Sequence, residues 1–236
     1  MSDQYCYPGS HVLVNLYGYA DPELWKAAER RVVQAHLIDL IEHPITGDFD
    51  LPHLQAIHTA LVEGFYSWGG QLRTTDTGPG GTGIAHCRPE FIRAEADRVF
   101  ATLAASDHLR GRDRDAFSRA LAWTWGELTV IHPFRDVNTR TQFTFFNQLA
   151  LHAGWLIDWT TIDPYLFGYA RTVAIVSDER GIDALLYPAL EPLAPSSAEP
   201  VQALRRGADR FVAGGQAWTR QDLDRALVAA IERRDA

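Results

Sequence analysis

Residues 131–143 read IHPFRDVNTRTQF. His132 stands in a Pro-containing break between two apolar stretches, and Asp136 and Asn138 come just before Arg140, where a new helical pattern begins. The first turn of a helix offers unpaired backbone N–H groups and the positive end of the helix dipole, which together favour an anion. An arginine in that turn opposes the dipole unless an anion is present, so Arg140 fits a phosphate-like ligand better than a purely stabilising role. Asp136 beside such a ligand suits Mg²⁺, and His132 suits a general base acting on an incoming hydroxyl. The same residues also suit a plain Asp/Asn-rich interhelical turn with a satisfied histidine.

Outward from this break the chain reads as helices. Asp21-Pro22 is an N-cap followed by proline at the first helical position, and an apolar stripe follows through residue 42. Further helical spacing predicts elements at 51–67, 89–105, 114–130, 140–153, 163–176 and 181–187. The segment 71–87 (QLRTTDTGPGGTGIAHC) is different: it is rich in glycine and threonine and suits an exposed, mobile loop with a short hairpin. Residues 190–200, rich in proline and serine, read as a linker, and 201–236 as two short amphipathic helices around Gly214-Gly215. The expectation is an all-α protein with one small β insertion, divided as 1–190 for the main domain, 191–200 for the linker and 201–236 for a C-terminal helical extension.

The 236 residues are 46% hydrophobic and 22% charged, enough apolar material for a core without disulfide or metal staples. The net charge of −8 argues against direct nucleic-acid or membrane-surface binding, because both partners are polyanions. Two cysteines give no disulfide framework, and the N-terminus has no secretory pattern, so a cytoplasmic location is expected. Gly78, Gly80 and Gly83 formally make G-x-G-x-x-G, but the flank is polar and no strand precedes it, so a loop is expected instead of a dinucleotide site. No P-loop, H-E-x-x-H or G-x-S-x-G occurs. His53 and His58, five apart, suit surface or cap positions better than a shared metal site.

The central segment resembles the Fic family signature H-P-F-x-[D/E]-G-N-G-R-x-x-R. His132, Pro133, Phe134, Asp136, Asn138 and Arg140 match in order and spacing. Asparagine is telling, since the chain has only three. LQAIHTALVEGFYSWGGQLRTTD (54–76) resembles the helix and W-A-G-x-x-R segment that lead into the family's flap, and YCYPGSHVLVN (5–15) resembles the start of the bacterial Fic toxin subgroup. The resemblance covers about residues 5–190. It implies a Fic-type helical domain with a β-hairpin flap that transfers AMP from ATP to a hydroxyl side chain of a target protein. It further implies His132 as the base, Asp136 as the Mg²⁺ ligand, and Asn138, Arg140 and the loop at Val137 and Thr139 as nucleotide ligands. Thr74, Thr75 and Asp76 would belong to the flap that pairs with the target. DNA topoisomerases are the first targets that analogy suggests, and a small antitoxin is the regulator it suggests.

Three positions depart from the signature. Val137 and Thr139 replace glycines, and Phe143 replaces the second arginine. A β-branched residue is poorly suited to a left-handed backbone, so Val137 is tolerable there if its φ is negative. Thr139 and Phe143 leave open weaker ATP binding, phosphate transfer, another nucleotide, or a catalytically silent binding module. Thr59–Gly64 (TALVEG) also meets the family's loose inhibitory pattern [S/T]-x-x-x-E-[G/N], and is read as coincidence because it lies within a core helix.

Overall fold

Asp-Pro and Asp-x-Pro pairs begin three of the helices. In the computed structural model, which describes residues 3–193, 199–213 and 218–236, the Asp21 carboxylate accepts from the N–H groups of Glu23 and Leu24 and opens α1 (Pro22–Glu42). Asp50 opens α2 (Leu51–Val62) through the His53 N–H, and Asp163 opens α6 (Pro164–Ala174) in the same way through Tyr165 and Leu166. Each aspartate satisfies N–H groups that the first turn leaves free, and each proline occupies a position that needs no N–H. The remaining elements are α3 (Ile92–Ala105), α4 (Arg114–Ile131), α5 (Asn138–His152), α7 (Arg180–Leu186), α8 (Glu199–Ala213) and α9 (Arg220–Asp235), with strands β1 (Trp155–Ile157) and β2 (Leu190–Pro192). The chain is a helical fold with a small two-stranded antiparallel sheet, in which Leu156 faces Glu191.

The helix α5 lies at the centre, packed by α1, α2, α4 and β1. Every residue from Thr141 to Asn147 is buried. A helix buried all round must satisfy its polar side chains internally, and the buried run from Thr141 to Asn147 does so, whereas Gln148 Nε2 beyond it has no partner. Thr141 and Thr144 donate to the carbonyls of Val137 and Arg140 at 2.9 and 3.0 Å, and Gln142 donates to Leu128 at 2.9 Å. Asn147 donates to the Phe143 carbonyl and accepts from the Trp159 indole. Phe143 therefore belongs to the aromatic core, 1% exposed, with its ring centroid 5.0 Å from that of Trp159.

Three boundaries differ from expectation. α2 stops at Val62 because Gly64 takes φ +68° and turns the chain, so residues 63–67 are not helical. α5 begins at Asn138, two residues earlier than its hydrophobic stripe suggests. The loop 71–87 doubles back with two backbone bonds, His86 N–H to the Thr77 carbonyl at 3.0 Å and, at its tip, Thr82 N–H to the Pro79 carbonyl at 3.3 Å, and forms no ladder. The paired strands lie instead at 155–157 and 190–192. Gly78 explains the tight return, since a Cβ there would lie 2.1 Å from the Ile84 carbonyl oxygen.

Both C-terminal helices pack on this core. α8 lies against α1, burying Ala203, Leu204 and Ala208, and α9 lies against α6 and α7, burying Leu227 and Ala230. Arg234 anchors α9, donating to Asp183 at 2.8 Å and to Asp115 at 2.5 Å, and Asp183 also accepts from Ser118. Gly214 and Gly215, expected between the two helices, lie outside the described residues, as do residues 194–198 of the expected linker.

Candidate active site

The α4–α5 break is built by side chains that bond to backbone. Asn138, 2% exposed, accepts from the Phe134 N–H at 3.0 Å and donates to the Phe134 carbonyl at 2.8 Å, closing the loop 134–138 on itself. His58 lies beneath, fully buried and stacked on Phe134 with centroids 3.9 Å apart. Its Nδ1 accepts from Gly70 N–H at 2.8 Å, so Nε2 carries the proton and donates to the Asp136 carbonyl at 3.2 Å. Burial pushes its pKa down to about 3, so His58 is neutral near pH 7. His53 is buried as well, holding the Ile45 carbonyl at 2.9 Å. Both histidines expected at surface or cap positions are thus core residues, because each staples a loop that has no regular partner.

His132 is the C-cap of α4 at φ 46° and ψ 64°. Its imidazole stacks on His86 from the 71–87 loop, with centroids 3.8 Å apart and planes 6° from parallel, and its Nδ1 is buried with no hydrogen bond. Desolvation holds the pKa of His132 well below that of a free histidine, and His86, Arg171 and Arg73 push it the same way. His86 itself is lowered to about 4, chiefly by burial. Both rings are neutral at pH 7.

Arg73 holds these pieces together. It is 1% exposed and its guanidinium donates to four backbone carbonyls: His132 at 2.7 Å, Thr75 at 2.8 Å, Ile131 at 3.1 Å, and Cys87. Its own N–H donates to Pro133, and Cys87 N–H donates to Val130. A cation at the carbonyl end of α4 suits the helix dipole. Here it also ties both ends of the 71–87 loop to the residues around His132.

A cavity of about 680 Å³ opens against His132. Arg30, His86, Thr129, Thr139 and Arg171 also line it, and no aspartate or glutamate does among the described residues. In a chain of net charge −8 this is a locally positive pocket. Of the residues singled out in the sequence, His132 and Thr139 meet there. Arg171 and His86, the other principal polar groups, have no signal in the sequence pattern, because each reaches the site from a different element.

The other expected residues fall elsewhere. Val137 stands at φ 61° and ψ 9°, the left-handed region, and not at the negative φ its β-branched side chain favours. Glycine would take this conformation without strain, whereas valine is held in it by burial at 2% exposure and by the loop closure. Its N–H donates to Asp136 Oδ1 at 2.6 Å, and no side chain caps α5. Arg140 turns away from the cavity to Glu29 of α1 at 2.5 Å. Burial raises the pKa of Glu29, while Arg140 pulls it down. Asp136 and Asn138 do not line the cavity either. Thr74, Thr75 and Asp76 line a separate cleft of about 720 Å³ with Asp3, Gln4 and Arg88, on the outer side of the loop. Glu63, the glutamate of TALVEG, is exposed at the end of α2 and makes no ion pair among the described residues.

A model of the Fic/DOC family matches residues 48–150. The Sinorhizobium fredii protein named probable protein adenylyltransferase y4lH is 34% identical over 200 residues, spanning 84% of this chain and 94% of its own length. The protein adenylyltransferase VbhT of Bartonella schoenbuchensis is 35% identical over 162 residues, which are 69% of this chain and 34% of VbhT. The N-terminal Fic domain of a VirB-translocated Bep effector from Bartonella quintana, solved with bound ADP, superposes with a TM-score of 0.74 at 25% identity, covering 80% of this chain and 95% of that one. BepC from Bartonella tribocorum, solved with AMPPNP, shares the fold with a TM-score of 0.73 at 23% identity, over 80% and 97%. The motif, the helical frame around it and these relatives agree: the chain belongs to the Fic/DOC family.

Proposed function

We propose that this protein transfers AMP from ATP to a hydroxyl side chain of a target protein. The observation that carries this reading is the positive pocket that holds His132, Thr139 and Arg171 at the N-terminal end of α5. In the reaction the target hydroxyl oxygen bonds to the α-phosphorus, the bond from that phosphorus to the β-phosphate oxygen breaks, and pyrophosphate leaves. His132 takes the hydroxyl proton. It is neutral in the free protein, and a polyphosphate in the pocket offsets the cations that disfavour its charged form. The rest of the rate comes from positioning and from N–H groups and guanidinium aimed at phosphate oxygens.

Asp136 would hold Mg²⁺. One of its oxygens takes the Val137 N–H and the other carries no hydrogen bond, and no larger carboxylate cluster exists among the described residues. A lone carboxylate suits an ion that keeps its waters and takes its remaining ligands from phosphates. When bound, the ion would neutralise phosphate charge. The resemblance gives Val137, Asn138, Thr139 and Arg140 to the nucleotide, of which Thr139 lines the cavity in this structure, and the cleft at Thr74, Thr75 and Asp76 would take the target segment. No described helix is long and apolar enough to cross a membrane; a cytoplasmic target and a small inhibitory partner belong to this reading through the family resemblance alone.

A second reading, a nucleotide-binding module without transfer, is favoured by the strained Val137 and by the Glu29–Arg140 pair. One experiment separates the two. With α-labelled ATP and Mg²⁺ added to a bacterial lysate, the active reading expects a labelled protein band that His132→Ala abolishes. ATP binding with no His132-dependent band leaves the silent module.

A further inference from the structure

Arg171 is the cavity's buried cation. It is 6% exposed, on α6, yet it lines the wall shared with His132 and Thr139. Its partners are all neutral oxygens: Thr129 Oγ1 at 3.2 Å, Thr139 Oγ1 at 3.0 Å and Gln142 Oε1 at 2.8 Å. Burial alone lowers its pKa, to about 10, with no carboxylate acting on it. An arginine carries five N–H donors, so one on each terminal nitrogen remains without a partner here.

A buried charge is ordinarily neutralised by a counter-ion, since desolvating it alone is expensive. The surroundings instead hold the guanidinium ready. Gln142 is fixed by its own bond to the Leu128 carbonyl and Thr129 by its bond to the Trp125 carbonyl, so both present lone pairs to Arg171. Thr139, which accepts from Arg171, keeps its hydroxyl hydrogen free for another acceptor. Thr139 also stands in the first turn of the uncapped α5, where N–H groups point outward. A guanidinium fork, a hydroxyl donor and a helix N-terminus thus converge on one wall of a pocket that has no acidic residue.

We propose that Arg171 is the anion-binding residue of this pocket and contacts the phosphate chain of a nucleoside polyphosphate. The inference rests on the nucleotide reading above for the identity of the ligand, but the anion site itself does not. It also assigns the role of Thr139: the hydroxyl in place of glycine positions the guanidinium.

Two probes, ATP and inorganic pyrophosphate, are titrated by calorimetry into wild type, Arg171→Met and Arg171→Lys, with thermal melts of each protein. Arg171→Met is expected to weaken both probes tenfold to a hundredfold and to melt no lower than wild type without ligand, because it removes an uncompensated buried charge. Pyrophosphate is expected to raise the melting temperature of wild type only. Wild-type affinity in Arg171→Met, together with a lower melting point, makes Arg171 a strut between α4, α5 and α6 and overturns the proposal. Should Arg171→Met fail to fold, Arg171→Lys decides. A point charge cannot hold three oxygens and an anion together, so a fivefold or greater loss on both probes is expected, and affinity within twofold of wild type overturns it. Pyrophosphate binding that depends on Arg171 without any ATP binding keeps this assignment and removes the nucleotide reading. ATP binding that ignores Arg171 does the reverse, and binding of neither probe removes both.

Discussion

Acid should weaken this protein markedly before its carboxylates titrate. His58 is held neutral, with its pKa lowered from 6.5 to about 3, and His86 is lowered to about 4, in both cases chiefly by burial. A histidine whose folded pKa is depressed contributes stability that is fully present above its unfolded pKa and is lost as pH falls below it. Between pH 7 and pH 5 the unfolded chain takes up most of a proton at each site while the folded chain takes up almost none. Each residue then removes about 2 kcal/mol, and the pair about 4 kcal/mol. His132, lowered in the same direction, adds to this. Against a typical stability of about 5–15 kcal/mol this is a large fraction. Urea unfolding followed by tryptophan fluorescence at pH 7, 6 and 5 gives the slope directly, with a constant m-value confirming one transition. His58→Gln keeps an amide that can bond the Gly70 N–H or the Asp136 carbonyl but does not titrate, so it should remove about 2 kcal/mol of the pH dependence. A stability that does not change between pH 7 and 5, or a His58→Gln variant with the full wild-type slope, would refute the reasoning.

Arg73→Lys replaces a fork that reaches four carbonyls with a single ammonium; it should lower stability by about 3 kcal/mol in urea and slow AMP transfer at least tenfold. The Glu29–Arg140 pair is mostly buried, with side chains 10% and 24% exposed. A double-mutant cycle of Glu29→Gln and Arg140→Met should therefore give a coupling of about 1–3 kcal/mol, far above that of an exposed ion pair. Arg234→Met leaves Asp183 buried without its cation, and should cost about 3 kcal/mol and expose α9 to protease cleavage near residue 218, read by limited proteolysis.

Helices were legible where a cap and an apolar stripe coincide, as at Asp21-Pro22 and Asp163-Pro164, because both signals are local. The motif was legible because its chemistry is packed into a few residues at one break. The groups that arrive by tertiary contact were not. Arg171 lies 32 residues beyond Thr139 on an otherwise ordinary amphipathic helix, and a buried arginine reads like an exposed one until its neighbours are known. His86 sits in a loop whose glycines draw attention, yet its stacking on His132 depends on Arg73 drawing that loop onto α4. His53 and His58 were misread for a related reason: periodicity measures which face is apolar, and a histidine that staples a loop from the buried face looks polar. Arg73 was visible only through the W-A-G-x-x-R resemblance, and its four carbonyl acceptors have no sequence signature.

The departures from the family signature are best understood together. Phe143 points into the aromatic core beside Trp159, so a cation there would have to be buried among rings or be redirected. The positive charge of the cavity comes instead from Arg30 of α1 and, within its buried wall, from Arg171 of α6, which is held by a threonine that occupies a glycine position. Val137 completes the set. Its left-handed backbone shows that the loop keeps the conformation glycine would adopt, despite a side chain that resists it, at a cost of about 1–3 kcal/mol. Strain of that size persists only where the surroundings fix the loop, and here they do so from three sides, through Asn138 on Phe134, His58 on the Asp136 carbonyl and Asp136 on Val137 N–H. A loop drifting from function would relax Val137 to negative φ by giving up one of those bonds. With all three bonds in place, the His132 Nδ1 that lacks a hydrogen bond and the Arg171 guanidinium that lacks a carboxylate belong to residues of one cavity wall, an arrangement that costs stability and suits an anionic ligand.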